Sequence, residues 1–177
     1  MIRKANENDI SRVAEIYDKI IDNDKGETSR VGWIKGVYPT AETAGAALEK
    51  DELFVLEEDG TVFGAAVINK TQPPAYAKAH WNYTDAADDR IMVLYTLVID
   101  PETKGRGFGT KFVDFYENYA REDGCLYLRI DTNETNSIIS VQNQIKQNLI
   151  SNIILIIIFS ILCIGIFFVY LCGFGTS

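Results

Sequence analysis

Positive charge is scarce in this chain, and after Lys146 charge of either sign is absent. Seventeen Lys and Arg stand against twenty-five Asp and Glu, a formal net charge of −8 over 177 residues. A chain that acidic offers no basic surface to neutralise phosphates, which argues against nucleic acid as a partner. One histidine, His80, and three cysteines occur. Cys125, Cys163 and Cys172 include no C-x-x-C pair, so no structural zinc site is expected and no metal is predicted. Two of these cysteines lie in an apolar tail and leave Cys125 without an obvious disulfide partner, which fits a reduced, intracellular compartment. The polar opening, Met1 to Glu7, lacks the apolar core of a signal peptide. The length fits one domain with a short appendage.

The patterning over residues 1–136 alternates strands and helices. Ile2 to Lys4 can begin a strand. Asn8 is the expected N-cap of a first helix, with Asp9 favouring its positive end, and Ile10, Val13, Ala14, Tyr17, Ile20 and Ile21 follow at helical spacing. A polar stretch, Asp22 to Gly32, and an aromatic, turn-like segment, Trp33 to Pro39, lead to a short alanine-rich helix at about Ala41 to Lys50. Leu53 to Glu57 and Thr61 to Asn69 flank Glu58-Asp59-Gly60, a strong hairpin signal. Gln72 to Arg90 reads as an irregular insert that carries His80, a surface or loop histidine on this reading. Ile91 to Ile99 is a continuous apolar run, as expected of a strand buried on both faces. An amphipathic helix then runs from Gly109 to a stop at Asp123-Gly124, and Leu126 to Ile130 makes another strand.

Between strand and helix stands Lys104-Gly105-Arg106-Gly107-Phe108-Gly109-Thr110. Glycines admit a close approach to backbone. The free amides and dipole of a helix start attract an anion, and Lys104 and Arg106 add positive charge. The segment is either a phosphate cradle or a tight turn ahead of an amphipathic helix. Its G-x-G-x-G spacing is neither a P-loop nor a dinucleotide fingerprint.

Leu97-Val98-Ile99-Asp100-Pro101 followed by this turn resembles the acetyl-CoA motif of the GNAT superfamily of N-acetyltransferases, with Lys104 where Gln or Arg is usual. Ile2-Arg3-Lys4-Ala5 through Asp9-Ile10 is similar to the family's first strand and helix. Leu128-Arg129-Ile130-Asp131-Thr132-Asn133 and Asn136 are similar to its fifth strand and the turn after it. Gly32 to Thr40 resembles a bacterial subgroup. The resemblance covers residues 1–136. It implies an α/β (α+β) fold with a mixed, mostly antiparallel sheet flanked by helices, and acetyl transfer from acetyl-CoA to a small-molecule or protein amine. The amides from Arg106 to Thr110 would hold the pyrophosphate. Leu97 to Ile99 would pair with the pantetheine arm in the wedge between the fourth and fifth strands, and Asn136 would sit near its end. Tyr95 and Asp131 are candidate bases, although Tyr95 reads first as core filling and Asp131 first as a turn or capping residue. Trp33 and Tyr38 either line the amine pocket or simply pack.

Beyond Asn136 the resemblance breaks. Ile139, Gln142 and Asn143 stand where the family carries Ala, Leu and an acidic Tyr that protonates the departing thiolate. No closing strands are expected, which would leave the fifth strand with an open edge. A catalytically impaired acyl-CoA-binding remnant, or a membrane-associated protein with a replaced C-terminus, is therefore the alternative function. The domain division is 1–148 and a hydrophobic segment at 149–172. The uncharged Ile153 to Cys172 would span about 30 Å as a helix, enough to cross a bilayer and anchor a cytoplasmic domain. Isoleucine supplies 12 of the last 41 residues, so the tail equally reads as an out-of-frame ending of an A/T-rich gene.

Overall fold

A computed structural model describes residues 1–24, 32–74, 76 and 86–130, together with the backbone of three short strands at 142–144, 155–158 and 168–171. The chain runs β1 (Ile2–Lys4), α1 (Ile10–Asn23), α2 (Ala41–Glu49), β2 (Leu53–Glu58), β3 (Thr61–Asn69), β4 (Ile91–Ile99), α3 (Phe108–Glu122), β5 (Tyr127–Ile130), β6 (Gln142–Gln144), β7 (Leu155–Ile158) and β8 (Phe168–Leu171). The first six strands form one sheet in the order β1-β2-β3-β4-β5-β6. All neighbours are antiparallel except β4 and β5, which run parallel. The expected mixed, mostly antiparallel sheet with flanking helices is what forms.

Local chemistry sets the element ends. Asn6, not Asn8, caps the entry to α1. Its side chain accepts from the Asn8 amide, and the Asp9 carboxylate accepts from the Asn6 amide in return. The reciprocal pair satisfies two orphan donors, which a lone Asn8 could not. A 3-10 turn at Glu7–Asp9 precedes α1 for that reason. Thr40 and Thr43 cap α2 in the same way. At the β2–β3 turn Asp59 and Gly60 both adopt positive φ, +52° and +74°, as a two-residue hairpin requires.

The sheet separates two cores. Val13, Ile16, Tyr17 and Ile20 of α1 and Ala44 and Ala47 of α2 pack on Leu53, Val55, Ala65, Val67 and Val98. On the opposite face Phe108, Phe112, Tyr116 and Ala120 of α3 pack on Phe54, Leu56, Ala66, Met92, Leu94 and Ile99. Gly64 admits this close packing: a Cβ there would lie 2.5 Å from Ile99 Cδ1 and 2.8 Å from the Val98 carbonyl.

The C-terminal expectations need correcting. β5 does not end the sheet. Gln142–Gln144 pairs with it, placing Asn143 opposite Leu128 and Gln142 opposite Arg129. An unpaired edge carries unsatisfied amides and carbonyls, and these three residues cover it. The described parts of the segment 149–172, expected to be a helix, are strands instead. Leu155–Ile158 and Phe168–Leu171 form a separate antiparallel pair, with Leu155 opposite Leu171. Ile, Val, Phe and Tyr favour extended backbone, and a run of them satisfies a hydropathy criterion without favouring helix. No helix among the described residues is long and apolar enough to cross a membrane.

Candidate active site

The site forms where β4 stops being an ordinary strand. Its register against β3 slips between Tyr95, opposite Val67, and Val98, opposite Ala65, so that two β4 residues face the single Ala66. Thr96 is the extra residue and takes a φ of +48°, a strained value for a β-branched side chain. The slip reverses the facing parity. Met92 and Leu94 point to α3 before it, and Leu97 and Ile99 after it. Burial weakens at the same place, because Tyr95, Thr96 and Leu97 are partly exposed within an otherwise buried strand.

Parallel pairing of β4 with β5 covers only Ile91–Leu94 against Tyr127–Ile130. Beyond Leu94, no strand among the described residues pairs with β4 on that side. The Asp100 amide donates to Phe63 O on the β3 side, at 2.8 Å. Alternation along the strand therefore turns the peptide groups of Ile99, and of Leu97 one pleat earlier, toward the opening. Val98 does not share this role: it is buried against α1 and α2, and its peptide groups face β3.

β4 leads directly into the glycine-rich turn, which is built on Asp100. This carboxylate is 2% exposed and meets both Arg12 and Lys19 of α1, the latter at 3.1 Å. It also accepts from the Glu102 amide at 3.0 Å, while the Asp100 carbonyl accepts from the Thr103 hydroxyl at 2.7 Å. Burial pushes the Asp100 pKa up. The Glu102 amide, Lys19 and Arg12 outweigh this and hold it below the ordinary carboxylate range.

After this anchor the turn bends through two left-handed glycines, Gly105 at φ +85° and Gly107 at φ +72°, where other residues are strained. Gly107 is the N-cap of α3 and supplies no side-chain hydrogen bond. The first intrahelical bond runs from Lys111 N to Gly107 O. The amides of Phe108, Gly109 and Thr110 thus open the helix without a capping side chain, and an added Cβ at Gly105 or Gly107 would meet nothing within 4 Å. Open space before uncapped amides suits a diphosphate. The expected donor set shrinks by one member, because Arg106 N donates to Thr103 O at 3.3 Å. The Arg106 side chain pairs with Glu58 and lies over the rings of Phe63 and Phe108, at 5.1 and 4.5 Å. Lys111, which the sequence reading missed, stands in the first turn of α3 over Phe108 and 3.6 Å from Glu58. A basic residue three positions into the helix was its signal. Lys104 is exposed.

On the α1 side, Trp33 is partly buried and meets Tyr17 and Tyr38 edge-on, at 6.3 Å in each case. Tyr38 is exposed, and its hydroxyl lies 2.8 Å from Thr96 Oγ1 at the bulge. Tyr38 thus touches the bulge of β4, and Trp33 packs against its ring. The Tyr95 hydroxyl donates to Thr71 O, which occupies its proton. Cys125 is buried, and burial pushes its thiol up to about 11, so it makes a poor nucleophile. Asp131, Asn136 and His80 lie outside the described residues. Among the described residues, no group of His, Cys, Asp or Glu is placed to hold a metal ion.

Comparison with known proteins agrees with this geometry. No curated protein matches the chain. Among solved structures, the ribosomal-protein-alanine N-acetyltransferase of Brucella melitensis superposes with a TM-score of 0.55 at 20% identity, over 77% of this chain and 76% of that one. A Salmonella typhimurium protein described as an acetyltransferase, solved with its cofactor acetyl-CoA, gives 0.56 at 15% identity over 100% and 95%. The N-acetylglutamate synthase of Neisseria gonorrhoeae, complexed with coenzyme A and N-acetyl-glutamate, gives 0.52 at 17% identity, over 77% of this chain but 26% of the larger one. These likenesses establish the fold. The family model described as "Acetyltransferase (GNAT) family" matches residues 19–139, more than half of the chain. With the sheet, the split strands and the uncapped helix in place, that match makes the protein a member of the GNAT acetyltransferase family.

Proposed function

We propose that the protein transfers an acetyl group from acetyl-CoA to an amine. One observation carries this reading: the edge of β4 beyond Leu94, which pairs with no described strand on the β5 side, leads through the glycine turn straight into the uncapped amides of α3. The amides of Gly107 to Thr110 hold the pyrophosphate. The edge groups of Leu97 and Ile99 pair with the pantetheine amides like an added strand, and strand N–H groups polarise the thioester carbonyl. The amine attacks that carbonyl, the C–N bond forms and the C–S bond breaks, so CoA leaves as its thiolate. Holding the two reactants in line supplies much of the rate. Tyr38 and Thr96 border the side from which an amine would approach, with Trp33 beneath them. Tyr95 donates to a carbonyl and is the weaker base. The ammonium proton passes to water or to Asp131.

A second reading, binding of acetyl-CoA with little transfer, draws on Asn143. It stands where related sequences carry the acid for the thiolate, and its backbone belongs to β6. Calorimetric titration of the full-length protein with acetyl-CoA, followed by detection of free thiol with a panel of amines, separates the two. Binding with amine-dependent thiol release is expected. Binding without release favours the second reading, and no binding removes both.

A further inference from the structure

The α3 helix presents one polar atom to the sheet in an otherwise apolar face. Tyr116 is fully buried, and its ring packs with Phe112, Met92 and Leu128 in the α3 core. Its hydroxyl oxygen lies 2.7 Å from Met92 O of β4, 2.8 Å from Arg129 O of β5, and 3.2 Å from Arg129 N, which donates to it. One phenol thus bonds the backbone of both parallel strands. It does so two residues before the described pairing ends on β4, at Leu94, and one before it ends on β5, at Ile130. Burial raises the Tyr116 pKa well above its ordinary value, so the O–H donor persists at all working pH values. Packing alone does not need this group; phenylalanine fills the same ring volume, and a buried hydroxyl is costly unless bonded.

The same helix begins at the anion-binding turn. Tyr116 lies eight residues beyond Phe108, about 12 Å along the axis. Its hydroxyl therefore ties the rigid body that carries the pyrophosphate amides to both lips of the opening that takes the pantetheine arm. We propose that Tyr116 is a positioning residue that fixes the spacing between the two halves of the acetyl-CoA site. This rests on the function proposed above. A slip of α3 along the sheet would leave each half intact and misplace the thioester relative to the polarising amides.

The test compares Tyr116→Phe with Phe112→Leu, a control that loosens the same core without touching strand backbone. Crystal structures come first, because they need no ligand. In Tyr116→Phe the hydroxyl bonds to Met92 O and to the Arg129 backbone are lost, and the Phe108–Thr110 amides should shift measurably against Leu97–Ile99. Acetyl-CoA titration follows, with an expected loss of about tenfold for Tyr116→Phe and under twofold for Phe112→Leu. The KM for acetyl-CoA should rise while that for the amine holds. Unchanged spacing and affinity in Tyr116→Phe, or equal losses in the two variants, overturn the proposal. Failure of the unmutated protein to bind acetyl-CoA sinks the proposed function instead, and the crystallographic spacing still judges Tyr116. Should Tyr116→Phe not fold, NMR of the unmutated protein decides. A slowly exchanging Tyr116 hydroxyl proton with cross-peaks to Met92 and Arg129 supports the pin, and its absence rejects it.

Discussion

Replacing Asp100 with alanine removes the carboxylate on which the glycine-rich turn is built, and the structure sets the size of the loss. The Glu102 amide loses its acceptor, worth about 1 kcal/mol. Arg12 and Lys19 lose a nearly buried counter-charge, but their side chains are 24% and 26% exposed, so water recovers part of the cost. Breaking a fully buried pair costs about 3–5 kcal/mol, and this exposure puts Asp100→Ala at the low end, about 3 kcal/mol. With an m-value near 2 kcal/mol/M, the urea midpoint should fall by roughly 1.5 M. Asp100→Asn keeps an oxygen for the Glu102 amide and should lose only the ionic part, about 2 kcal/mol. The pH dependence then separates charge from shape. The folded pKa of Asp100 lies below its unfolded value of about 3.9, so its contribution is complete above that value and is lost as pH falls through the folded one. The gap between the unmutated protein and Asp100→Asn should be widest at pH 5 and above and should close progressively below about pH 4. Midpoints that coincide at pH 7, or a gap independent of pH, would refute this account of the anchor.

Two further outcomes follow from the same region. Gly107→Glu places bulk and negative charge before the α3 amides and should abolish acetyl-CoA binding in a chain that still melts cooperatively; calorimetry showing intact affinity would count against the pyrophosphate assignment. Gly64→Ala drives a methyl to 2.8 Å from the Val98 carbonyl, which cannot yield as a side-chain tip can. It should cost about 1–3 kcal/mol in denaturant unfolding, and wild-type stability would show the β3–β4 contact to be looser than described.

Element order was legible because each helix and hairpin carries a local signal. Asp59-Gly60 fixes its turn by backbone conformation, and α3 shows its apolar face every three to four residues. The bulge at Thr96 was hidden for a physical reason. Residues 91–99 are apolar on both faces apart from Tyr95 and Thr96, so no alternation exists to reveal where the parity reverses. Nothing local in the sequence points Arg12 to its partner, since Asp100 lies 88 positions away. Helical spacing places Tyr116 on the apolar face without showing its bonds; a tyrosine where Phe or Leu could fill was the available hint that its hydroxyl bonds something. The turn gave its glycines and its helix, but not that Arg106 is already engaged by Glu58 across the β2–β3 hairpin. The C-terminal run misled because hydropathy measures solvent preference, and the same side chains suit either backbone.

The odd residue in β4 makes chain length, more than side-chain identity, the rule at that point. Removing Thr96 would drop Leu97 opposite Ala66 and let the strand resume a regular ladder. Leu97 and Ile99 would still face α3 and Val98 the two-helix layer, so both cores would keep their residues. Substitution at 96 is thus a local matter of strain, whereas a one-codon deletion there would straighten the strand and erase the irregularity around which the site is built.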